Sequence, residues 1–212
     1  MRIVVDHLTR MQRGFICVAG IDRTGSRYIR PVLPGGTRLP IGLAGGTPFA
    51  IGAEVDIAPA TPTGAVPEVE DHIFDPARTT NRGTLSANGF WAVLSGMASP
   101  DLATIFGPDL HPQRNGFAVD EGHGSASLGA FRPDTMPTLS VNAYGSIRLA
   151  LSYGGRTLDL SVTDLRLFKA DQKTARVRTL QDLQRRIGGG VEVILSVGLA
   201  RAFQVGNDTE RR

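Results

Sequence analysis

GFICVAGIDRTGSRYIRPV, Gly14 to Val32, consists of two short apolar runs on either side of a turn. Successive side chains of an extended chain point to opposite faces, so Phe15 to Ile21 and Arg27 to Leu33 read as strands. In the second, Arg27 and Ile29 share one face while Tyr28 and Arg30 share the other. Between them lies DRTGSR, where Gly25 can take the positive φ of a short hairpin loop and Asp22 can bond the turn backbone. With Arg2 to Asp6 before it and Glu54 to Ile57 after it, the stretch predicts an antiparallel meander.

Outward from that meander, Pro34 to Pro48 is rich in Gly and Pro, too loose for a strand interior and long enough for a functional surface loop. Pro59 to Pro67 reads as a plain connection. Asn88 to Met97 sets Phe90, Trp91 and Leu94 at helical spacing behind an Asn cap, and a short helix with Pro100 at its first position follows, ending near Gly107. Strands then return at Ala126 to Phe131, Leu139 to Ala143, Ile147 to Tyr153 and Thr157 to Val162, with a hairpin at Gly154-Gly155. Thr179 to Ile187 reads as a helix capped by Thr179 and Asp182, with Leu180, Leu183 and Ile187 on one face. Val191 to Val197 is nearly all apolar and reads as a buried strand. The order strands, helix, strands, helix, strand predicts a mainly β protein with minor α, built as two similar half-chains.

Composition supports this reading. Gly and Pro together are 39 of 212 residues, which implies frequent turns between short elements, and 41% hydrophobic residues supply a core without disulfide or metal support. Cys17 is the only cysteine, so neither an intrachain disulfide nor a multi-cysteine zinc site is expected, and it sits mid-strand as a small hydrophobe. The apolar run in MRIVVDHLTR is too short for a signal peptide or a membrane span, so a cytoplasmic protein with no membrane partner is expected. His7, His72, His111 and His123 are scattered without metal-ligand spacing, and the phosphate-loop, nucleophile-elbow and dinucleotide signatures are lacking. No metal and no cofactor are therefore expected.

The formal charge is +3, carried by 21 Arg and only two Lys, Lys169 and Lys173. A GC-rich codon usage explains most of that ratio, so the position of each arginine matters more than their number. Tyr28 and Arg30 on one strand face combine a stacking ring with a group for phosphate or a guanine edge, the pairing that nucleic acid requires. Arg10 and Arg13 flank the turn before the second strand, which makes Arg10, Arg13, Arg27, Tyr28 and Arg30 one candidate surface. The main alternative reading is a half-buried Tyr28 beside a solvated Arg30.

HLTRMQRGFICVAGID, SRYIRPV, SVTDLRLF and ILSVGLARAF together resemble the prokaryotic dual OB-containing domain family. The matching positions are Thr9, Arg10, Gly14, Cys17, Gly20, Ile29, Arg30 and Pro31, then Asp164, Arg166, Gly198, Leu199 and Arg201. One departure is Tyr28, where Trp is expected. The resemblance implies two tandem OB-like antiparallel barrels, here 1–107 with a short helical insertion and 108–212, with strand 191–197 shared between them. It also implies nucleic-acid recognition, often in proteins of prokaryotic genome defence or nucleic-acid modification. It adds Arg166 and Arg201 to the nucleic-acid-binding set and leaves Asp164 as a structural ion-pair residue, with Arg201 or Arg30 as its partner.

The expected function is therefore binding of DNA or RNA without catalysis, with a protein partner encoded nearby. Two alternatives differ in class. Asp120, Glu121 and His123 in DEGHG could serve general acid/base chemistry on nucleotides or nucleic acid, although a Gly-flanked charged turn is the simpler reading. The barrels could instead bind a partner protein or a small nucleotide-like signal.

Overall fold

Strand β1 (Arg2–Arg10) pairs antiparallel with β2 (Phe15–Asp22), which pairs in turn with β3 (Arg27–Val32), giving the expected meander in a computed structural model that describes residues 1–11, 14–24, 26–44, 48–200, 203–205 and 208–211. The Gly25 turn lies outside the described residues. Strands β4 (Leu39–Pro40), β5 (Ala53–Asp56), β6 (Ala60–Pro62), β7 (Asp71–Phe74) and β8 (Thr80–Thr84) extend the sheet into the order β6-β7-β3-β2-β1-β5-β8, with β4 on β2. Three sequence expectations are corrected here. The 34–48 loop contains β4, the 59–67 connection contains β6, and β7 runs parallel to β3, so the sheet is not a pure antiparallel meander.

One face of this sheet curls around a core of Ile3, Val5, Leu8, Ile16, Val18, Ile29, Val55 and Ile57, closed by Phe49 against Phe74. A bulge between Val5 and His7 makes Asp6 the extra residue and pairs His7 with Ala19. Bulges re-aim side chains by a half-period, and this one places a carboxylate and an imidazole on the sheet's outer side. Gly20 stands opposite the bulge, where a Cβ would lie 2.6 Å from the Val4 carbonyl oxygen. Only glycine lets β1 and β2 approach so closely.

The remaining elements are α1 (Ala87–Met97), β9 (Ala98–Ser99), α2 (Leu102–Phe106), β10 (His111–Gln113), β11 (Gly116–Asp120), β12 (Leu128–Phe131), β13 (Thr138–Val141), β14 (Ile147–Tyr153), β15 (Arg156–Ser161), α3 (Val177–Gly188), β16 (Leu195–Gly198), β17 (Phe203–Val205) and β18 (Asp208–Arg211). They form three small sheets, β16-β12-β9, β13-β14-β15 and β10-β11-β18-β17. Gly154 and Gly155 turn β14 into β15 with φ of 56° and 72°, the left-handed pair that the two-residue hairpin requires. Phe131, Leu149, Leu151 and Leu158 pack with Leu102 and Phe106, so β9 and α2 pack with the second half although they precede residue 107.

Helix ends differ from the sequence reading in instructive ways. Ser86, two residues ahead of the expected Asn88 cap, accepts from the Gly89 N–H and starts α1, while Asp101 accepts from the Ala103 and Thr104 N–H groups and starts α2 after Pro100. Helix α3 begins at Val177 rather than after Thr179, with no side-chain cap at Arg176. Its apolar stripe holds it in place instead: Leu180 and Ile187 are buried and Leu183 packs on the core of Ile147, Leu167 and Phe168. The apolar stretch 191–197 is a strand only from Leu195, and Val191 is exposed, so it is not buried on both faces.

The two halves share a core. Ala19, Ile21 and Tyr28 from the outer face of the first sheet pack with Leu94 of α1 and with Leu128 and Ala130 of β12.

Candidate functional site

The outer face of the first sheet holds Tyr28 and Arg30, and the second half covers it. Tyr28 is 8% exposed and Arg30 6%. The Tyr28 ring meets the His7 ring edge-on at 5.7 Å, and burial, then the nearby Asp6 charge, push the pKa of its hydroxyl up. A ring enclosed in this way presents no face to a base. Arg30 donates through Nε to Asp71 of β7, directly across the parallel pair. Burial alone would lower the Arg30 pKa, but Cys17, Asp71 and Glu70 outweigh it and hold the guanidinium above its ordinary value.

This interior cluster joins the halves. His7 Nδ1 lies 3.0 Å from the Asp6 carboxylate, which accepts from the Ser196 hydroxyl at 3.1 Å, and His7 Nε2 lies 3.3 Å from the Val197 carbonyl oxygen of β16. Burial works against the imidazolium, yet the Asp6 charge and hydrogen bond and the Val197 carbonyl raise the His7 pKa above 6.5. Glu70 accepts from the Ser127 N–H at 2.7 Å, the Leu128 N–H at 3.0 Å and the Ser127 hydroxyl at 2.9 Å, anchoring the start of β12. Sequence reasoning did not single out Asp6 or Glu70, and marked Asp71 only as a neighbour of His72 in a weak acid-base pair. The carboxylates beside His7 and His72 in sequence were the signal available.

Arg27, by contrast, is exposed at the far end of the sheet, 3.6 Å from Asp22. Nearby Arg2 and Arg23 both reach Glu54 and Arg82 reaches Asp56, so this corner has its cations matched by carboxylates. Arg13 and Arg201 lie outside the described residues. Asp164 pairs with Arg166 itself, at 2.6 Å, while its side chain also accepts from the Arg166 N–H in a short 3-10 turn. Of the partners expected for Asp164, Arg30 is held by Asp71 instead, and Arg201 lies outside the described residues. Asp120, Glu121 and His123 occupy an exposed turn between β11 and β12, with His123 Nδ1 3.9 Å from Asp109.

Arg10 leads to a different surface. Its backbone N–H donates to the Thr163 carbonyl, its guanidinium donates to the Gln172 carbonyl at 3.1 Å, and it lies 4.1 Å over the Phe168 ring. Arg176 donates to the Phe168 carbonyl from the other side. The loop so clamped contains both lysines of the chain, Lys169 and Lys173. Asp171 spends its lone pairs inside the loop, on the Thr174 hydroxyl and the Thr174 and Lys173 N–H groups, which lower its pKa to about 2.

Residues 164–188 carry seven basic groups, Arg166, Lys169, Lys173, Arg176, Arg178, Arg185 and Arg186, against three acidic ones, Asp164, Asp171 and Asp182. This excess of four exceeds the +3 of the whole chain, so everything outside the segment is net −1. On α3, Arg178, Asp182 and Arg186 recur every four residues along one exposed face. Asp182 pairs with Arg185, and among the described residues Lys173, Arg178 and Arg186 stand in no ion pair.

Among the described residues no helix is long and apolar enough to cross a membrane, and no group of three or more His, Cys, Asp and Glu side chains is placed to hold a metal ion. No curated protein and no solved structure matches the chain. A family model described as "Dual OB-containing domain" matches residues 1–211.

Proposed function

Because the chain belongs to the dual OB-containing domain family, we propose that it is a nucleic-acid-binding module that holds the phosphate backbone on the basic face of residues 164–188. The observation that carries this reading is the concentration of the protein's entire positive excess in that one segment. Clustered cations raise the local potential and release counterions when phosphates replace them. Lys173, Arg178 and Arg186 supply unpaired charge, Arg166 and Lys169 extend the face, and Arg10 and Arg176 fix the loop that presents the lysines. In this reading Tyr28 and Arg30 are positioning residues that hold the two halves together. In a prokaryotic defence or modification system, such a module would hold a strand for a partner that performs the chemistry.

The test is salt dependence. With about four phosphates neutralised, log K against log salt should fall with a slope near −3 to −4, depending on strand state. Replacing Arg178 and Arg186 by Ala should weaken binding of any sequence alike and make the slope shallower by about 1 to 2. An affinity unchanged between roughly 50 and 200 mM salt, or unchanged by the double replacement, would reject the proposal.

A further inference from the structure

Strand β13 is an edge, and its register determines which of its backbone groups are free. The Asn142 N–H donates to the Ser146 carbonyl across the turn into β14, and Ser140 and Leu139 then stand opposite Arg148 and Leu149. Bonded and non-bonded pairs alternate in an antiparallel ladder. Thr138 and Ser140 therefore bond to β14, while Leu139 and Val141 turn their N–H and C=O groups away from it. Gln184 of α3 meets one of these, accepting from the Leu139 N–H at 2.6 Å. The Leu139 carbonyl and both backbone groups of Val141 have no partner among the described residues.

Along this edge runs an open groove of about 610 Å³ between β13 and α3, lined by Leu139, Val141, Val177 and Leu180, with Gln181 and Arg185 at its rim. Val141 is 40% exposed and Val177 52%. Exposed edges are ordinarily blunted by charge, proline or a covering element, whereas β13 presents only Thr, Leu, Ser and Val. The charge stands beside the edge instead, on Arg185 at the groove's rim.

We propose that this edge takes an extended acidic segment of a partner protein as an added strand. The segment's backbone bonds to Val141 and the Leu139 carbonyl, its alternate apolar side chains enter the groove, and a carboxylate faces Arg185 at the rim, competing with Asp182 for it. This surface shares no lining residue with the phosphate-binding reading, which rests on Arg178 and Arg186 of α3 and on the lysine loop.

The experiment measures binding of two labelled nine-residue peptides to the full chain, one alternating Val with Glu and the other alternating Val with Lys. The Glu peptide should bind at least about tenfold more tightly. Val141→Pro removes the outward N–H but no ladder bond, so the chain should keep its circular dichroism spectrum and lose Glu-peptide binding by about tenfold or more. Val177→Glu, on the first turn of α3, should weaken the peptide similarly by placing a like charge in the groove. Val141→Pro should leave oligonucleotide affinity unaltered. Equal binding of the two peptides, or full binding by both folded variants, would overturn the proposal. So would an oligonucleotide that displaces the Glu peptide and is itself weakened by Val141→Pro, because it would place nucleic acid in the groove.

Discussion

Arg30 shows how one residue can suit two roles on paper and only one in space. Alternation along β3 correctly put Tyr28 and Arg30 on a common face; it carried no information that the second half of the chain covers that face, because that depends on contacts with Leu128 and Ala130, roughly a hundred residues away. Removing one partner of a buried ion pair leaves the other charge uncompensated, at a cost of about 3–5 kcal/mol. Arg30→Ala should therefore lower the urea midpoint markedly, while the folded fraction binds oligonucleotide within about twofold of the parent. An unchanged midpoint with a large loss of affinity would return Arg30 to the ligand. His7 offers a second residue-scale check. Its pKa is raised in the folded chain, so its protonated form stabilises the fold fully below about 6.5, and that contribution is lost as pH rises through the folded value. Melting temperature should fall from pH 6 to pH 8 more steeply in the parent than in His7→Gln.

Elements were legible in the sequence where periodicity was strong and caps were local. The meander of β1 to β3, the Gly154-Gly155 hairpin and α1 all follow from residues within a few positions of one another. Strand β7, Asp71–Phe74, was hidden because DHIF is short and half polar, and its pairing on both sides, parallel to β3 and antiparallel to β6, is what makes it a strand. The start of α3 was misread because tertiary packing of Leu180 and Ile187, rather than a cap, sets its length. Glu70 joins such elements, since its carboxylate satisfies three donors at the head of β12. Glu70→Ala strands two buried backbone N–H groups, each worth about 1–3 kcal/mol. The variant should lose on the order of 3 kcal/mol or more in chemical denaturation, with Glu70→Gln retaining part of it.

At the scale of the molecule, the chain's two halves are not beads on a string. Asp6, His7, Tyr28 and Glu70 of the first meet Ser127, Leu128, Ser196 and Val197 of the second across a buried polar and apolar junction. Residues 1–107 and 108–212 expressed separately should each fail to fold cooperatively, as judged by the absence of a sharp melting transition, and should regain one when mixed. A distinct transition for each half alone would show that the junction is dispensable. The basic segment 164–188 is hidden from a reading of individual strands, because its excess of positive charge emerges only when charge is summed along the chain. The clamp of Arg10 on the lysine loop has a mechanical consequence. One end of β1 is bolted to Thr163, Gln172 and the Phe168 ring, so a pull on Lys169 or Lys173 is borne by the central strand of the opposite half instead of being absorbed by a slack hinge. A ligand gripping that loop loads both halves at once, and letting go of it requires no swing of one against the other.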